Sequence, residues 1–404
     1  MASERVVVAG AGHAGGQVVA GLRTEGYTGE ILLVGDEPQP PYQRPPLSKG
    51  YLSGKVGMDQ VLLRPADFYA RHDIALRLGR SVTAIDRAAR SITLDDGEVV
   101  PWNWLVLATG TRVRKLPIPG ADDERVCYLR TLADVDRIRA RMQGAGRAVI
   151  VGGGFIGLEA AAVLRGKGVA VTVIEVQDRL MPRVVSPTVS AFYRDLHTGH
   201  GVEIVTGTGV TSISGGAQAT VHLADGRGFA ADLVIVGIGV LPNVEIAQAA
   251  ALPCDNGIVV DDCARTADPH ILSAGDCTQH PNALLGRSLR LESVHNAVEQ
   301  AATAVRTILG NPHPYAQIPW FWSDQYDIKL QMVGISTGYD AEVVRGTIAD
   351  RKFSVFYYRE GRLIAVDSVA RPVDHMQSRR MLGAGLSPTP AQVADIAFDL
   401  KTVS

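Results

Sequence analysis

The sequence predicts an α/β fold: two copies of one parallel-sheet domain, then a smaller α+β domain at the C-terminal end. Three observations carry this. Residues 5–15, RVVVAGAGHAG, recur as RAVIVGGGFIG at 147–157, 142 residues on (5 to 147). Each copy runs from a β-branched stretch through a glycine turn into a helical pattern and on to a second apolar strand, the βαβ order of a parallel sheet. Beyond Trp320 the pattern becomes alternating strands, DIKLQMVG, FSVFYYREG and RLIAVDSVA.

Composition agrees. A chain of 404 residues suggests two or three domains. With 46% hydrophobic and 20% charged residues it is not disordered. Few aromatics (6%) beside abundant Val and Ala suit buried parallel strands. Lys plus Arg is 40 and Asp plus Glu is 42, so the net charge is −2. That balance argues against nucleic acid as the main partner. Cys127, Cys254, Cys263 and Cys277 form no C-x-x-C pair and no disulfide framework, which fits a reducing cytoplasm. No apolar run reaches the ~18 residues of a membrane span. The opening MASERVVVAGAGHAGG reads as a strand and turn rather than a signal peptide.

The elements follow in order. In the first copy a strand at Val6–Ala9 leads to a helix including Gln17 to Leu22. A second strand, Ile31 to Val34, ends at Asp36 and Glu37. EPQPPYQRPPLSKGYL (37–52) reads either as a rigid surface loop or as a wall over a bound ring system, ending in a helix that presents Lys49. LVLATGT (105–111) is a strand entering a glycine turn, and TRVRKLPIPG (111–120) is a hinge. The second copy repeats this: a helix including Leu158 to Leu164, a strand Val171 to Ile174 ending at Glu175, LVIVGIG (233–239), and a second crossing at 239–247. Residues 254–277 read as short strands and turns ending in A-G-D. A long helix is expected from about Ser293 to Leu309, closed by Gly310 and Pro312. Residues 375–383 and 388–398 are expected to be helical.

Gly10, Gly12 and Gly15 form one G-x-G-x-x-G between strand and helix; Gly152, Gly154 and Gly157 form another. The first glycine makes the tight turn, the second admits a pyrophosphate, and the third lets helix and strand pack. The helix N-terminus offers unpaired N–H groups to phosphates. A single such motif often only ends a strand. Two in the right context point to two Rossmann-like dinucleotide-binding domains, and most simply to a flavin and a nicotinamide. An acid ending the second strand is placed for ribose hydroxyls. Gly10 to Asp36 is 26 residues and Gly152 to Glu175 is 23, near the ~20 of the motif. A carboxylate there repels a 2′-phosphate by up to ~4 kcal/mol at 4 Å before screening, so NADH is expected over NADPH. Arg179, four residues past Glu175, is placed to soften that repulsion.

Four stretches carry a family resemblance: PPYQRPPLSK (40–49), GGGFIGLEAAAVL (152–164), SAGDC (273–277) with LESVHNAVEQA (291–301), and PWFWSDQYDIKLQMVG (319–334). Nearly the whole chain resembles the two-dinucleotide flavoprotein reductases related to glutathione reductase. More narrowly, it resembles the oxygenase-coupled, NADH-dependent ferredoxin reductases of the putidaredoxin reductase type. The resemblance implies an FAD-binding domain of residues 1–112 and 241–319, an NADH-binding domain of 113–240, and a C-terminal α+β domain of 320–404.

Residue by residue, it implies that Gly10, Gly12 and Gly15, with His13 and Ala14, hold the FAD pyrophosphate. Asp36 or Glu37 reaches the adenosine ribose, and Arg44 and Lys49 lie along the cofactor. Val82 meets the adenine end. Ala108, Thr109, Gly110 and Arg130 are further FAD contacts. Asp276 binds the ribityl chain, and Val294 starts a helix aimed at the flavin pyrimidine edge, where partial positive charge favours reduced flavin. Gly152, Gly154, Ile156, Gly157, Glu175 and Gly239 are assigned to NADH. Glu159 faces Lys49 beside the nicotinamide; by position alone Glu159 is as readily a surface acid.

The implied reaction is hydride transfer from nicotinamide C4 to flavin N5, then single-electron transfer outward. Disulfide reductases of this superfamily carry a redox cysteine or cysteine pair after the first acid, and residues 37–60 contain none. Electrons are therefore expected to leave the flavin directly to an external acceptor, and the resemblance implies that this is a [2Fe-2S] ferredoxin that supplies a cytochrome P450 or another oxygenase. Trp320 is a candidate docking residue, whereas Trp322 reads as packing. Arg290, Arg306 and Lys329 are candidate attractors of an acidic ferredoxin. The alternatives are a rubredoxin reductase, an NADH oxidase of the same fold, or a DNA-interacting flavoprotein like the apoptosis-inducing factors, which the near-neutral charge disfavours. A monomer in the cytoplasm, without membrane or nucleic-acid contact, is expected.

Overall fold

The computed structural model describes residues 4–282 and 285–404. They form two compact units. One holds the described residues up to Arg44, with Met58–Arg112 and Leu241–Gln317; the other holds Pro45–Gly57, Val113–Val240 and Ile318–Ser404. The proline-rich stretch is thus divided at Arg44, and residues 113–240 share a unit with the C-terminal sheet.

The first unit is built on a five-stranded parallel sheet in the order Ile271–Ser273, Trp104–Leu107, Arg5–Ala9, Glu30–Gly35, Ile74–Leu78. Val6, Val7 and Val8 are wholly buried, as β-branched residues in a strand covered on both faces should be. On one face the helices His13–Thr24 and Val294–Ile308 bury Val18, Leu22, Ala301 and Val305. On the other, Ile92, Leu94 and Val100 of a three-stranded antiparallel sheet (Val82–Asp86, Ser91–Leu94, Val99–Pro101) pack with Val7, Leu32 and Leu105.

The second unit repeats the plan. Its parallel sheet runs Glu203–Thr206, Ala170–Glu175, Arg147–Val151, Leu233–Val236, Val126–Tyr128. The sequence repeat persists at the same 142-residue offset: strand Arg5–Ala9 answers Arg147–Val151, and helix His13–Thr24 answers Phe155–Gly166. A second three-stranded antiparallel sheet (Val210–Ser214, Ala219–Leu223, Gly228–Ala231) covers one face. The C-terminal region is a five-stranded antiparallel sheet, ordered Trp320–Gln325, Ile328–Gly334, Arg362–Val369, Lys352–Arg359, Ala341–Thr347, with helix Pro372–Gly383 packed on it through Met381 and Leu382.

Several expectations need correction. The helix expected over 388–398 is only Pro390–Ala394. The last turn of this helix and the chain beyond it turn carbonyls to the buried Arg345, which donates to Val393 (3.2 Å), Asp395 (2.6 Å), Ile396 (3.2 Å) and Phe398 (2.7 Å). Those acceptors are lost to a helix. Residues 320–325 are an edge strand, and Ala341–Thr347 and the two three-stranded antiparallel sheets described above were not anticipated. The helix over Ser293 to Leu309 is observed as Val294–Ile308, with Ser293 as its cap.

Candidate functional site

In the first unit the sequence-derived residues collect at the carboxyl ends of the parallel strands, beside the point where the strand order reverses, the usual place for a ligand in such sheets. Gly10 follows strand Arg5–Ala9 with φ +116°, and its N–H donates to Val34 O (2.8 Å). A Cβ on Gly10 would lie 2.1 Å from Ala108 O, and one on Gly15 would lie 1.9 Å from Gly10 O. A Cβ on Gly12 would meet no atom within 4 Å. The protein's own packing therefore explains the first and third glycines but not the second. Gly12 also caps helix His13–Thr24 without a side-chain bond, leaving N–H groups available to an anion. The residues present fit a dinucleotide pyrophosphate.

Around this turn stand the other candidates. Ala14 is buried and packs at Gly275; His13 opens the helix. Asp36 is exposed just past strand Glu30–Gly35. Glu37 instead accepts from Arg44 Nη2 (2.8 Å) and from the Tyr42 hydroxyl. Burial opposes the Arg44 charge, but Tyr42, Glu37 and Asp276 outweigh it and hold its pKa above the ordinary value. Val82 starts its strand. Ala108, Thr109 and Gly110 follow strand Trp104–Leu107 and are fixed by Asn243, which accepts from the Thr109 hydroxyl (2.7 Å) and donates to Thr109 O (2.8 Å) and Gly110 O (3.0 Å). Gly275, at φ +90°, donates to Gln300 Oε1 (2.7 Å), which also accepts from the Thr278 hydroxyl (2.7 Å). Gln300 thus joins the Asp276 turn to the helix that Val294 begins. Sequence reasoning missed Asn243 and Gln300. The available signal for Gln300 was a pair of amides, Asn296 and Gln300, four residues apart on a buried helix face.

The second unit holds a matching cradle. Gly152 has φ +112°; a Cβ there would lie 2.3 Å from Gly237 O, and one on Gly157 2.2 Å from Gly152 O. Gly154 again faces open space and caps its helix with no side-chain bond. Ile156 is exposed in the first turn. Glu175 ends strand Ala170–Glu175 and accepts from Gly153 N (2.7 Å) and Gln177 N (2.9 Å), so it also clamps the glycine turn. Arg179 does not reach it as expected. Its guanidinium donates to Val185 O (2.8 Å) and Pro182 O (2.8 Å). Gly239 has φ +104° beyond strand Leu233–Val236. Arg130 lies in this unit, two residues past strand Val126–Tyr128, its N–H on Asp134 Oδ2 (3.2 Å).

Lys49 and Glu159 belong to this unit too, and they meet. Lys49 sits between the 3₁₀ turn Pro45–Ser48 and the short helix Gly50–Ser53. Its Nζ is 2.7 Å from Glu159 Oε2 and also donates to Pro45 O (3.3 Å). Glu159 is no surface acid: its side chain is 1% exposed. Its carboxylate also accepts from the Ser48 hydroxyl and from the Ser323 hydroxyl (2.6 Å). Buried carboxylates need such partners. Sequence reasoning missed both serines, although Ser323 lies inside the PWFWSDQ motif.

Trp320 packs against the C-terminal core with Arg379 5.1 Å over its ring and Trp322 5.4 Å away. Arg290 pairs with Glu292 (2.6 Å) and Lys329 with Asp324 (2.5 Å); Arg306 is exposed. All four cysteines are free thiols. No helix among the described residues is long and apolar enough to cross a membrane.

A family model described as pyridine nucleotide-disulphide oxidoreductase matches residues 4–301, and one described as reductase C-terminal matches 320–404. Rhodocoxin reductase of Rhodococcus erythropolis is 45% identical over 398 residues, covering 98% of this chain and 93% of that protein. The ferredoxin reductase for the CYP199A2 system from Rhodopseudomonas palustris superposes with a TM-score of 0.96 at 45% identity, over 98% of this chain and 99% of that one. The covalent putidaredoxin reductase–putidaredoxin complex matches with a TM-score of 0.96 at 43% identity, over 99% and 98% of the two chains. With both cradles and the C-terminal sheet matched end to end, this chain belongs to the pyridine nucleotide-disulphide oxidoreductases that carry a reductase C-terminal domain.

Proposed function

We propose that the chain is an FAD-containing, NADH-dependent ferredoxin reductase that passes electrons to a [2Fe-2S] ferredoxin serving a cytochrome P450 or another oxygenase. The observation that carries this is the pair of glycine turns whose second glycine meets no protein atom, one for each dinucleotide. Bound FAD supplies the exchange between two-electron acceptance and one-electron release.

The chain's residues bind and orient. The N–H groups at Gly12 and Gly154 hold the two pyrophosphates. Asp36 serves the FAD ribose, since Glu37 is engaged with Arg44 and Tyr42. Asp276 and the helix beginning at Val294 hold the flavin end, and Val82, Ala108, Thr109, Gly110 and Arg130 complete the FAD set. Ile156, Glu175 and Gly239 receive NADH. Lys49, held by Glu159, would supply the positive charge that favours electron arrival at a bound flavin.

Glu175 disfavours a 2′-phosphate, and Arg179 is turned away toward backbone carbonyls. We expect kcat/KM to favour NADH over NADPH by about 100-fold, equivalent to about 2.7 kcal/mol. Comparable values for the two coenzymes would count against the assignment. Residues 37–60 hold no cysteine to relay electrons. Trp320 and its neighbour Arg379 are the proposed docking point; of the three basic candidates, Arg290 and Lys329 already have acid partners. The protein acts as a cytoplasmic monomer.

The deciding experiment supplies NADH and cytochrome c with and without a [2Fe-2S] ferredoxin. Reduction that depends on the ferredoxin is the expected result. Oxygen consumption with NADH alone at a matching rate, or a clear preference for rubredoxin, would overturn the reading.

A further inference from the structure

The contacts around Glu159 continue beyond its first partners. Ser323 donates to Glu159 Oε1 (2.6 Å) and accepts from Gln325 Nε2 (3.2 Å). Gln325 Oε1 lies 2.8 Å from His197 Nε2, and His197 Nδ1 lies 3.2 Å from the Tyr326 hydroxyl. Ser323, Gln325 and His197 are wholly buried. They come from two separate elements, the edge strand Trp320–Gln325 and the end of helix Pro187–Gly199.

We infer that Tyr326, His197, Gln325 and Ser323 form a one-way chain of positioning residues that orients the Glu159 carboxylate and, through it, the Lys49 ammonium. This rests on the proposed role of Lys49 beside the flavin.

The direction follows from hydrogen-bond chemistry. Once the Gln325 NH₂ faces Ser323, its amide oxygen faces His197 and can only accept, so the histidine proton sits on Nε2. Nδ1 is then an acceptor and takes the tyrosine hydroxyl. Burial pushes the His197 imidazole down to about 4 and the Tyr326 phenol up to about 12. Around neutral pH both therefore keep the protonation state the chain requires. Tyr326 is fixed in turn: it holds the turn between two strands at φ +56°, and its ring stacks on His200 at 3.7 Å. Every donor points toward Glu159.

This is not a proton wire. Gln325 would have to take a proton on oxygen and lose one from nitrogen, passing through a disfavoured imidic acid. The chain's effect is geometric. Glu159 Oε2 is held by Lys49 and Ser48, and Oε1 by Ser323. The terminal torsion of a glutamate is otherwise broad. Without Ser323 the carboxylate turns, and the ammonium moves with it.

The test uses the FAD-loaded protein and two readouts: the single-turnover rate constant for flavin reduction at saturating NADH, and the midpoint potential of the bound flavin. Ser323→Ala should slow reduction about tenfold, within the range that small misplacements produce. It should change the NADH dissociation constant less than about twofold, as expected of a group that acts only on orientation. It should also make the potential more negative, because the positive charge is less well placed. Ser323→Thr, which keeps a hydroxyl, should restore both readouts. Gln325→Leu should have little further effect in the Ser323→Ala background, because it acts through that hydroxyl. Tyr326→Phe, at the part-exposed end, removes one oxygen and should shift both readouts the same way by a smaller amount, which keeps the test available if a core variant does not fold. Additive effects of Ser323→Ala and Gln325→Leu, or no change in either readout, would overturn the inference. Glu159→Gln separates the two levels. If it too changes nothing, the assignment of Lys49 and Glu159 has failed; if it alone acts, only the chain has failed.

Discussion

Gly10 and Gly12 stand two residues apart, yet an added methyl group would meet opposite surroundings. At Gly10 it would collide with Ala108 O at a φ of +116°. At Gly12 it would meet open space, with φ at an ordinary −83°. We expect Gly10→Ala to destabilise the fold by roughly 3 kcal/mol or more. Gly12→Ala should leave apoprotein stability within about 0.5 kcal/mol while greatly weakening FAD retention. Melting of the apoproteins and flavin content after gel filtration check both; normal FAD retention by Gly12→Ala would contradict the pyrophosphate site. At Glu159 the argument is electrostatic. Lys49→Ala leaves a buried carboxylate without its cation, so it should both slow flavin reduction and lower stability, the latter by about 3 kcal/mol. Stopped-flow traces and thermal melts of the same preparation separate the two effects.

Among the elements, helix Val294–Ile308 shows how one segment serves packing and site together. Its apolar face buries Ala301, Ala304 and Val305 against the parallel sheet and the first helix. Ser293 caps it by accepting from Asn296 N (3.1 Å), and Gln300 reaches back to the Asp276 turn. Gln300→Leu keeps the volume but leaves the Gly275 N–H and the Thr278 hydroxyl without that acceptor. A cost of about 1–3 kcal/mol is expected, with weaker FAD retention because the turn loosens. Titration of the apoprotein with FAD would show the second effect, and an unchanged dissociation constant would contradict it. The helix was legible in the sequence because the Ser cap, the apolar spacing and the Gly-Pro ending agree. The short antiparallel strands such as Val82–Asp86 were not. That strand has an exposed–intermediate pattern and a register shift near Val82, which weakens the alternation that marks a strand.

For the molecule as a whole, buried titratable groups set the pH dependence of stability. Burial lowers His197, His280 and His375 to about 4 and raises Asp367 to about 7. Between pH 4 and 6.5 an unfolded chain protonates the three imidazoles and the folded chain does not. Stability therefore rises with pH across that window. Asp367 works the other way: the folded chain keeps its proton to about pH 7, whereas an unfolded chain loses it near 4, so stability falls as pH rises. Three groups against one give a net rise that levels off between about pH 7 and 8, where the two opposing slopes cancel. Melting temperature measured from pH 4 to 8 should climb and then reach a plateau. Asp367→Asn, which still offers the Tyr357 hydroxyl an acceptor, should steepen the climb between pH 4 and 7. A melting temperature that falls between pH 4 and 6.5 would exclude this balance.

The sequence by itself determined the repeated βαβ plan, both glycine cradles and the acids after each second strand. All of these rest on spacing within about thirty residues, where local conformation leaves its mark. Tertiary structure decided which groups share a hydrogen bond across long separations. Glu159 is enclosed by Ser48 and Ser323, which lie 111 and 164 residues away. The 390s leave the helix for Arg345, about fifty residues back. Glu175 holds its own glycine turn while Arg179 faces backbone carbonyls. Such pairings depend on how strands and helices are stacked, and a buried polar atom takes whichever partner that stacking brings within about 3 Å.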